Sequence, residues 1–481
     1  MTLRLGGFRL CLLLPVLFAA AILALDACGT SGSSATSVAD SGSIPEVDGT
    51  LVDSEAESSP PETGPRDAPG EADATQPLAE SGVDGAADAG LQEAGAAEAS
   101  PEASATDGPD DTGAADAVVV DTGATEAAVD SGGPPLGDVL TQHNDSARTG
   151  STPNETTLTV ANVRAASFGR VFARAVDDQT YAQPLVRLQV PVADAGVHDV
   201  LYVATMSDSV YAFDADDPAQ SAPLWKTSLA DATKGIVPVT HADVGSACAP
   251  FSNISGNIGV ESTPVIDPVA GRMFVVAKTK NASGVQAYTV HALDLGTGLD
   301  QVPPVIVQAS VPGTGAGSDA GVLAFDASVE NQRASLLLAN GNVYVGFGGY
   351  CESGNYHGWL LAYDATTLAQ TAAFVTTPGG IGSGIWMSGE GPSADASGNV
   401  YVLASGGTMD VVSGGADYGE ALLELTPSLT VADWFAPYDY ATLTSSGSFF
   451  GSAGVVLVPG TTLALSGSEM GKLYVNDTTG L

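Results

Sequence analysis

Between Tyr350 and Trp359 the chain concentrates side chains suited to binding or reaction: Tyr350, Cys351, Glu352, Tyr356, His357 and Trp359, followed after a glycine-rich stretch by Trp386 and Glu390. Aromatic faces stack on rings, and a carboxylate or imidazole can carry a proton near neutral pH. The group supports two readings, turn hydrogen bonds and packing at sheet edges, or the rim of a central ligand site. His143, His198, His241, His291 and His357 are scattered, whereas a metal centre needs at least three converging ligands, so no metal site is assigned. His291 lies inside a strand pattern and reads as a core histidine. Asp214, Asp216 and Asp217 could hold calcium through carboxylate oxygens, or form an acidic turn at a strand end. No Ser-His-Asp set, Walker motif or nucleophile elbow is present, and Gly379, Gly380, Gly382 and Gly384 lie between strands with no helix following. No catalytic residue is assigned.

Cys248 and Cys351 are candidate disulfide partners in an oxidising compartment and lack zinc-site spacing. Their bridge would close a loop of about 100 residues, for which chain entropy gives about 4 to 5 kcal/mol. The compartment is indicated by the N-terminus. Arg4 and Arg9 precede an apolar run from Leu10 to Leu25, and Leu25-Asp26-Ala27-Cys28-Gly29 follows. An apolar run of about 16 residues is shorter than the ~20 that span a bilayer. The order resembles a bacterial lipoprotein signal, residues 1–27, with Cys28 as the lipid-bearing residue of the mature chain and Cys11 lost on cleavage. Asp26 departs from the usual small or apolar residue, which leaves ordinary secretion and an uncleaved anchor as alternatives. By the same resemblance, Gly29 in place of Asp favours the outer membrane, with the lipid anchor as the membrane partner.

Residues 28–135 read as a disordered linker. From Gly29 onward this stretch has no Phe, Trp or Tyr and carries 23 acidic residues against one basic residue, Arg66. It cannot bury enough apolar surface to offset its conformational entropy. The whole chain has a net charge of -41, and no basic patch exists, which excludes nucleic acid as a partner.

Residues 136–481 must therefore hold the core and position the candidate side chains. Short β-branched and aromatic runs recur there, bounded mostly by Gly, Asp, Asn or Pro: 200–204 with 209–213, 272–276 with 288–293, 342–346 with 359–363, 399–402 with 421–425, and 462–465 with 472–475. No helix of about ten residues is expected, and the class is all-β. The runs repeat as units of four strands closing on an acidic turn, the pattern of β-propeller blades. About five blades are recognisable. The ring is expected to be incomplete through C-terminal truncation, or else completed by an early strand at 168–176.

The segments "LTQHNDSARTGSTPNETTLT", "QTYAQPLV", "LYVATMSDSVYAFDAD", "STPVIDP", "YHGWLLAYDATTL", "GIWMSGEGPSADASGNVYV" and "GKLYV" resemble bacterial propellers with pyrroloquinoline quinone (PQQ)-like repeats, in the quinoprotein alcohol dehydrogenase-like superfamily. The resemblance covers residues 138–481. In a working quinoprotein it implies an aspartate base, a calcium held by carboxylate and amide oxygens, a tryptophan beneath the quinone and often a disulfide of adjacent cysteines. This chain has no adjacent cysteines, and only 214–225 approximates the family's tryptophan docking pattern. The sequence thus reads as a lipid-anchored, extracytoplasmic propeller of the cell envelope. It is expected to bind a small-molecule ligand or envelope protein without catalysis and without a cofactor. The alternatives are a PQQ- and calcium-dependent oxidoreductase and a nonfunctional remnant.

Overall fold

The β-branched and aromatic runs form strands, and the acidic or glycine-bearing turns between them close hairpins. The computed structural model describes residues 137–481 apart from 154, 165–168, 245–252 and 353. The signal at 1–27, Cys28, the linker to residue 135 and Cys248 lie outside the described residues.

Among the described residues five antiparallel sheets of three or more strands follow one another along the chain, with a two-stranded ribbon, Ser310–Pro312 and Val322–Ala324, between the second and the third. The first joins Leu185–Val192, Gly196–Ala204, Ser209–Asp214 and Trp225–Ser228. The second joins Val265–Asp267, Arg272–Lys280, Gln286–Asp294 and Val305–Ile306, and the pair Val237–Thr240 and Asn257–Ile258 prolongs it along Arg272–Lys280. The third contains Leu337–Ala339, Asn342–Gly349, Trp359–Asp364 and Gln370–Val375, with Glu330–Asn331 paired to the far end of Asn342–Gly349. The fourth runs Ser393–Ala394, Val400–Ala404, Ala421–Leu425 and Val431–Phe435, and the fifth Val456–Leu457, Leu463–Gly467 and Leu473–Asp477. The innermost strands of the second to fifth sheets lie beside one another in turn. The chain is an all-β propeller of antiparallel blades; the single α-helix among the described residues is Tyr440–Ser446. The segment 169–176 forms no strand, so it does not supply the closing strand considered from the sequence.

Burial follows from the stacking. Middle strands such as Ser209–Asp214, Val400–Ala404 and Ala421–Leu425 are buried at every position, and for the last two the third and fifth blades cover both faces. Outer strands alternate, as in Trp225–Ser228. The core accordingly lies between blades: Val200, Tyr202, Val210 and Ala212 of the first meet Met273, Val275 and Leu293 of the second. Val276 and Val290 meet Val343, Phe347 and Trp359 of the third.

The recurring acidic turns are backbone caps. Asp214 Oδ1 accepts the N–H groups of Asp216 (2.8 Å) and Asp217 (2.9 Å), and Asp294 and Asp364 repeat the arrangement in the next two blades. The other Asp214 oxygen lies 2.7 Å from His198 Nδ1. Its carboxylate is thus engaged on both sides, which favours the turn reading over calcium at 214–217. Blade docking uses the same turn: Trp225 Nε1 and Tyr202 Oη both donate to Leu295 O at 3.0 Å. A Cβ on Gly298, whose φ is 69°, would strike the Trp225 ring, so this close approach requires glycine.

Candidate functional site

Where the chain leads into successive inner strands, five blades present side chains to one cavity of about 420 Å³. Tyr181 comes from the approach to the first blade, Glu261 from the second, Asn331 and Arg333 from the third, Trp386 and Ser388 from the fourth, and Ser452 from the fifth. The loop joining Asn342–Gly349 to Trp359–Asp364 adds Tyr350, Cys351, Glu352 and Tyr356. The size suits a small-molecule ligand, and aromatic walls with a few polar groups are what such sites use.

Glu261 and Asn331 are buried and unusual. Glu261 Oε2 and Asn331 Oδ1 have no hydrogen-bond partner among the described residues, although each is at least nine-tenths buried. Burial pushes the Glu261 carboxyl up to about 7, against the opposing pull of Arg333, Lys278 and the Asn331 amide. Arg333 stands 3.6 Å from Glu261 Oε1 and donates to Glu261 O (3.3 Å) and Ser388 O (3.4 Å). When Glu261 is ionised both unmet groups are acceptors, which an occupant bringing donors or a cation would satisfy.

Behind the Tyr350 wall lies Lys278, completely buried. Its ammonium donates to Ala327 O (3.0 Å), Tyr350 Oη (3.1 Å) and Glu330 O (3.4 Å), and lies 4.3 and 4.7 Å from the centres of the Tyr350 and Tyr288 rings. Burial draws it down to about 7, resisted by Glu261, Glu330 and Asp326. Burial likewise holds the Tyr350 hydroxyl well above its ordinary value.

Of the residues singled out from the sequence, Tyr350, Glu352, Tyr356 and Trp386 line the cavity. Burial, then Glu469 across the mouth, raises Glu352. His357 and Trp359 are placed elsewhere, in the interior of the third blade. His357 Nε2 donates to Ala316 O (2.9 Å), its Nδ1 lies 2.8 Å from Thr377 Oγ1, and Trp359 packs against Phe325. Glu390 points to a different cluster, its Oε2 lying 3.7 Å from His143 Nδ1, and burial raises its carboxyl to about 7. Cys351 is disulfide-bonded, while its candidate partner Cys248 is outside the described residues. Sequence reasoning missed Tyr181, Glu261, Lys278, Asn331 and Arg333. One signal was present: Arg333 is the only Lys or Arg between Lys280 and Lys472.

No family model and no curated protein matches this chain. Among solved structures it is similar to the quinohemoprotein alcohol dehydrogenase of Comamonas testosteroni, with 16% identity and a TM-score of 0.46 over 73% of this chain and 49% of that one. It is also similar to the quinohemoprotein alcohol dehydrogenase ADHIIG of Pseudomonas putida HK5 (15%, TM-score 0.45, 71% and 46%). A europium-containing methanol dehydrogenase gives 17%, TM-score 0.43, 71% and 56%. The likeness is one of fold. The chain spans about half the length of these proteins. They nonetheless correct the expectation of no cofactor, since two are named as quinohemoproteins and the third as europium-containing.

The cavity residues fit such a group in part. Glu261 and Asn331 supply a carboxylate and an amide oxygen, the donor chemistry of a hard cation, and Trp386 supplies an exposed ring. Among the described residues no three His, Cys, Asp or Glu side chains form a metal-binding cluster. No aspartate lines the cavity among the described residues.

Proposed function

We propose that this chain is an extracytoplasmic, lipid-anchored oxidoreductase whose axial cavity takes a planar, anionic cofactor of the o-quinone class together with a hard cation. The reading is carried by one observation: Glu261 and Asn331, two residues of the cavity wall beside the Arg333 guanidinium, each hold a buried oxygen without a partner among the described residues, Glu261 Oε2 and Asn331 Oδ1. These oxygens would hold the cation. Arg333 offers a planar fork to a carboxylate, and the Trp386 ring, 40% exposed, offers a stacking face. A bound o-quinone supplies a two-electron acceptor for an alcohol or related substrate. The disulfide at Cys351 supports an oxidising compartment, in keeping with the export signal and Cys28.

Purified chain is titrated with PQQ in the presence of calcium or lanthanum while tryptophan fluorescence is followed. Saturable quenching is expected, and Glu261→Ala should weaken it by about tenfold or more, as loss of an oxygen ligand does. Absence of quenching with either ion sinks the proposal. Because no aspartate lines the cavity among the described residues, a second reading is binding of the same ligand class without turnover. Reduction of an artificial electron-acceptor dye in the presence of alcohol separates the two. Replacing Cys28 by Ala should release the protein from membranes, and retention would remove the lipid anchor from the reading.

A further inference from the structure

The segment from Asp138 to Arg148 belongs to no sheet, yet it touches the inner strands or their approaches in all five blades. Val139 exchanges backbone hydrogen bonds with Val186 of the first blade (2.8 and 3.0 Å). Its next residue accepts from the second blade, Ile266 N to Leu140 O at 2.8 Å. Ala394 N of the fourth blade donates to Ser146 O (2.8 Å), and Leu457 N of the fifth to Ala147 O (2.9 Å). The Arg148 guanidinium, 1% exposed, reaches the third and fourth through Leu336 O and Pro392 O, both at 3.0 Å. It also folds the segment on itself through Thr141 Oγ1 and Gln142 O at 2.8 Å. Gly391 leaves the room for this guanidinium that any side chain there would take.

We propose that residues 138–148 form a clasp, a single cooperative unit that locks the five blades at the axis and opens while the blades stay folded. Three features point to separability. Among the described residues the isolated bridge Val139–Val186 is the segment's only β-pairing, so each blade keeps its own strand pairing when the segment leaves. The described residues 150–164 that follow form no strand and are exposed, so they can serve as a hinge. Backbone strain is stored within, at His143 (φ 55°), Asn144 (φ 70°) and Arg148 (φ 62°), none of them glycine. The clasp also bears on the cavity. Glu261, Arg333 and Ser452 each precede by about three to five residues, and Trp386 by about eight, a clasped backbone group, at Ile266, Leu336, Leu457 and Ala394 respectively. Opening therefore frees the cavity walls of four blades together.

The test is native-state hydrogen exchange on the full chain across low urea. The amides of Val186, Ile266, Ala394 and Leu457 are expected to exchange through one opening with a common urea slope, distinct from and faster than that of the mid-strand amides of Val402 and Leu423. Arg148→Lys, which keeps the charge and loses the planar fork, should speed those four by about tenfold and leave the mid-strand amides unchanged. Exchange of the four at the mid-strand rate and slope, or at four unrelated rates, overturns the clasp, and the wild-type measurement alone suffices for either result.

Discussion

Glu420 ties a pH-dependent stability to the loops beside the cavity. Its side chain is fully buried; Oε1 accepts Gly406 N–H (2.9 Å) and the Thr444 hydroxyl (3.4 Å), and Oε2 accepts Phe450 N–H (3.0 Å). Burial raises its carboxyl from the ordinary 4.5 to about 7, against the lowering effect of those donors. An acid raised on folding binds its proton more tightly in the native state. The associated stability is thus fully present below pH 4.5 and lost as pH rises through about 7. At about 1.4 kcal/mol per pKa unit the span is about 3 kcal/mol. Glu420→Gln abolishes the titration but leaves one amide N–H group facing a backbone donor, a cost of about 1 to 3 kcal/mol. Comparing urea unfolding of the variant and the wild type cancels every other titrating group. The substitution should be clearly destabilising at pH 4.5 and near neutral or stabilising at pH 8. A cost that is equal at the two pH values, or larger at pH 8, would show that Glu420 is ionised in the fold and would refute the reasoning.

Three further outcomes are expected. Trp225→Phe removes the indole donor to Leu295 O while Tyr202 still donates there, so guanidinium unfolding should show a loss of about 1 kcal/mol. Lys278 is lowered from 10.5 to about 7, so its contribution is present above pH 10.5 and lost as pH falls through 7. Lys278→Met should therefore cost most near pH 10 and a few kcal/mol less at pH 7, by unfolding at both. Reduction of the Cys351 disulfide should lower stability by about 2 to 5 kcal/mol, and peptide mapping without reductant should recover Cys351 linked to Cys248.

The hairpins of the propeller are legible in the sequence because both partners of each lie within a short span. Strands 200–204 and 209–213 pair as one meander, and Asp214 closes the turn by capping its own backbone. The same logic recurs at Asp294 and Asp364, so one local rule, repeated, specifies three blade edges. What escapes is pairing at a distance by short or proline-bearing segments. Val237–Thr240 contains Pro238 and pairs with Lys280 some forty residues on. Likewise Ser310–Pro312 and Val322–Ala324 make a ribbon too brief to stand out from loop. The segment 138–148 was visible as a motif, but nothing in its own residues says that five separate strands will meet it.

Apart from Trp386, the cavity was legible where its residues happen to be neighbours in the chain. Tyr350, Glu352 and Tyr356 share one loop and drew attention together, and that same crowding swept in His357 and Trp359, which turn into the blade interior. The converse case is more instructive. Glu261 stands one residue before the recognisable "STPVIDP" strand, and Asn331 and Arg333 stand a few residues before Leu337–Ala339. Each is unremarkable in its own blade, and their meeting is a property of radial stacking: every approach to an inner strand ends at the axis. In a propeller, the position equivalent to Glu261 in each repeat therefore faces the centre whatever residue occupies it. The useful reading is down the column of repeats at that position. There Tyr181, Glu261, Arg333 and Ser452 stand in one wall, which Trp386, from further ahead of its own inner strand Ser393–Ala394, completes.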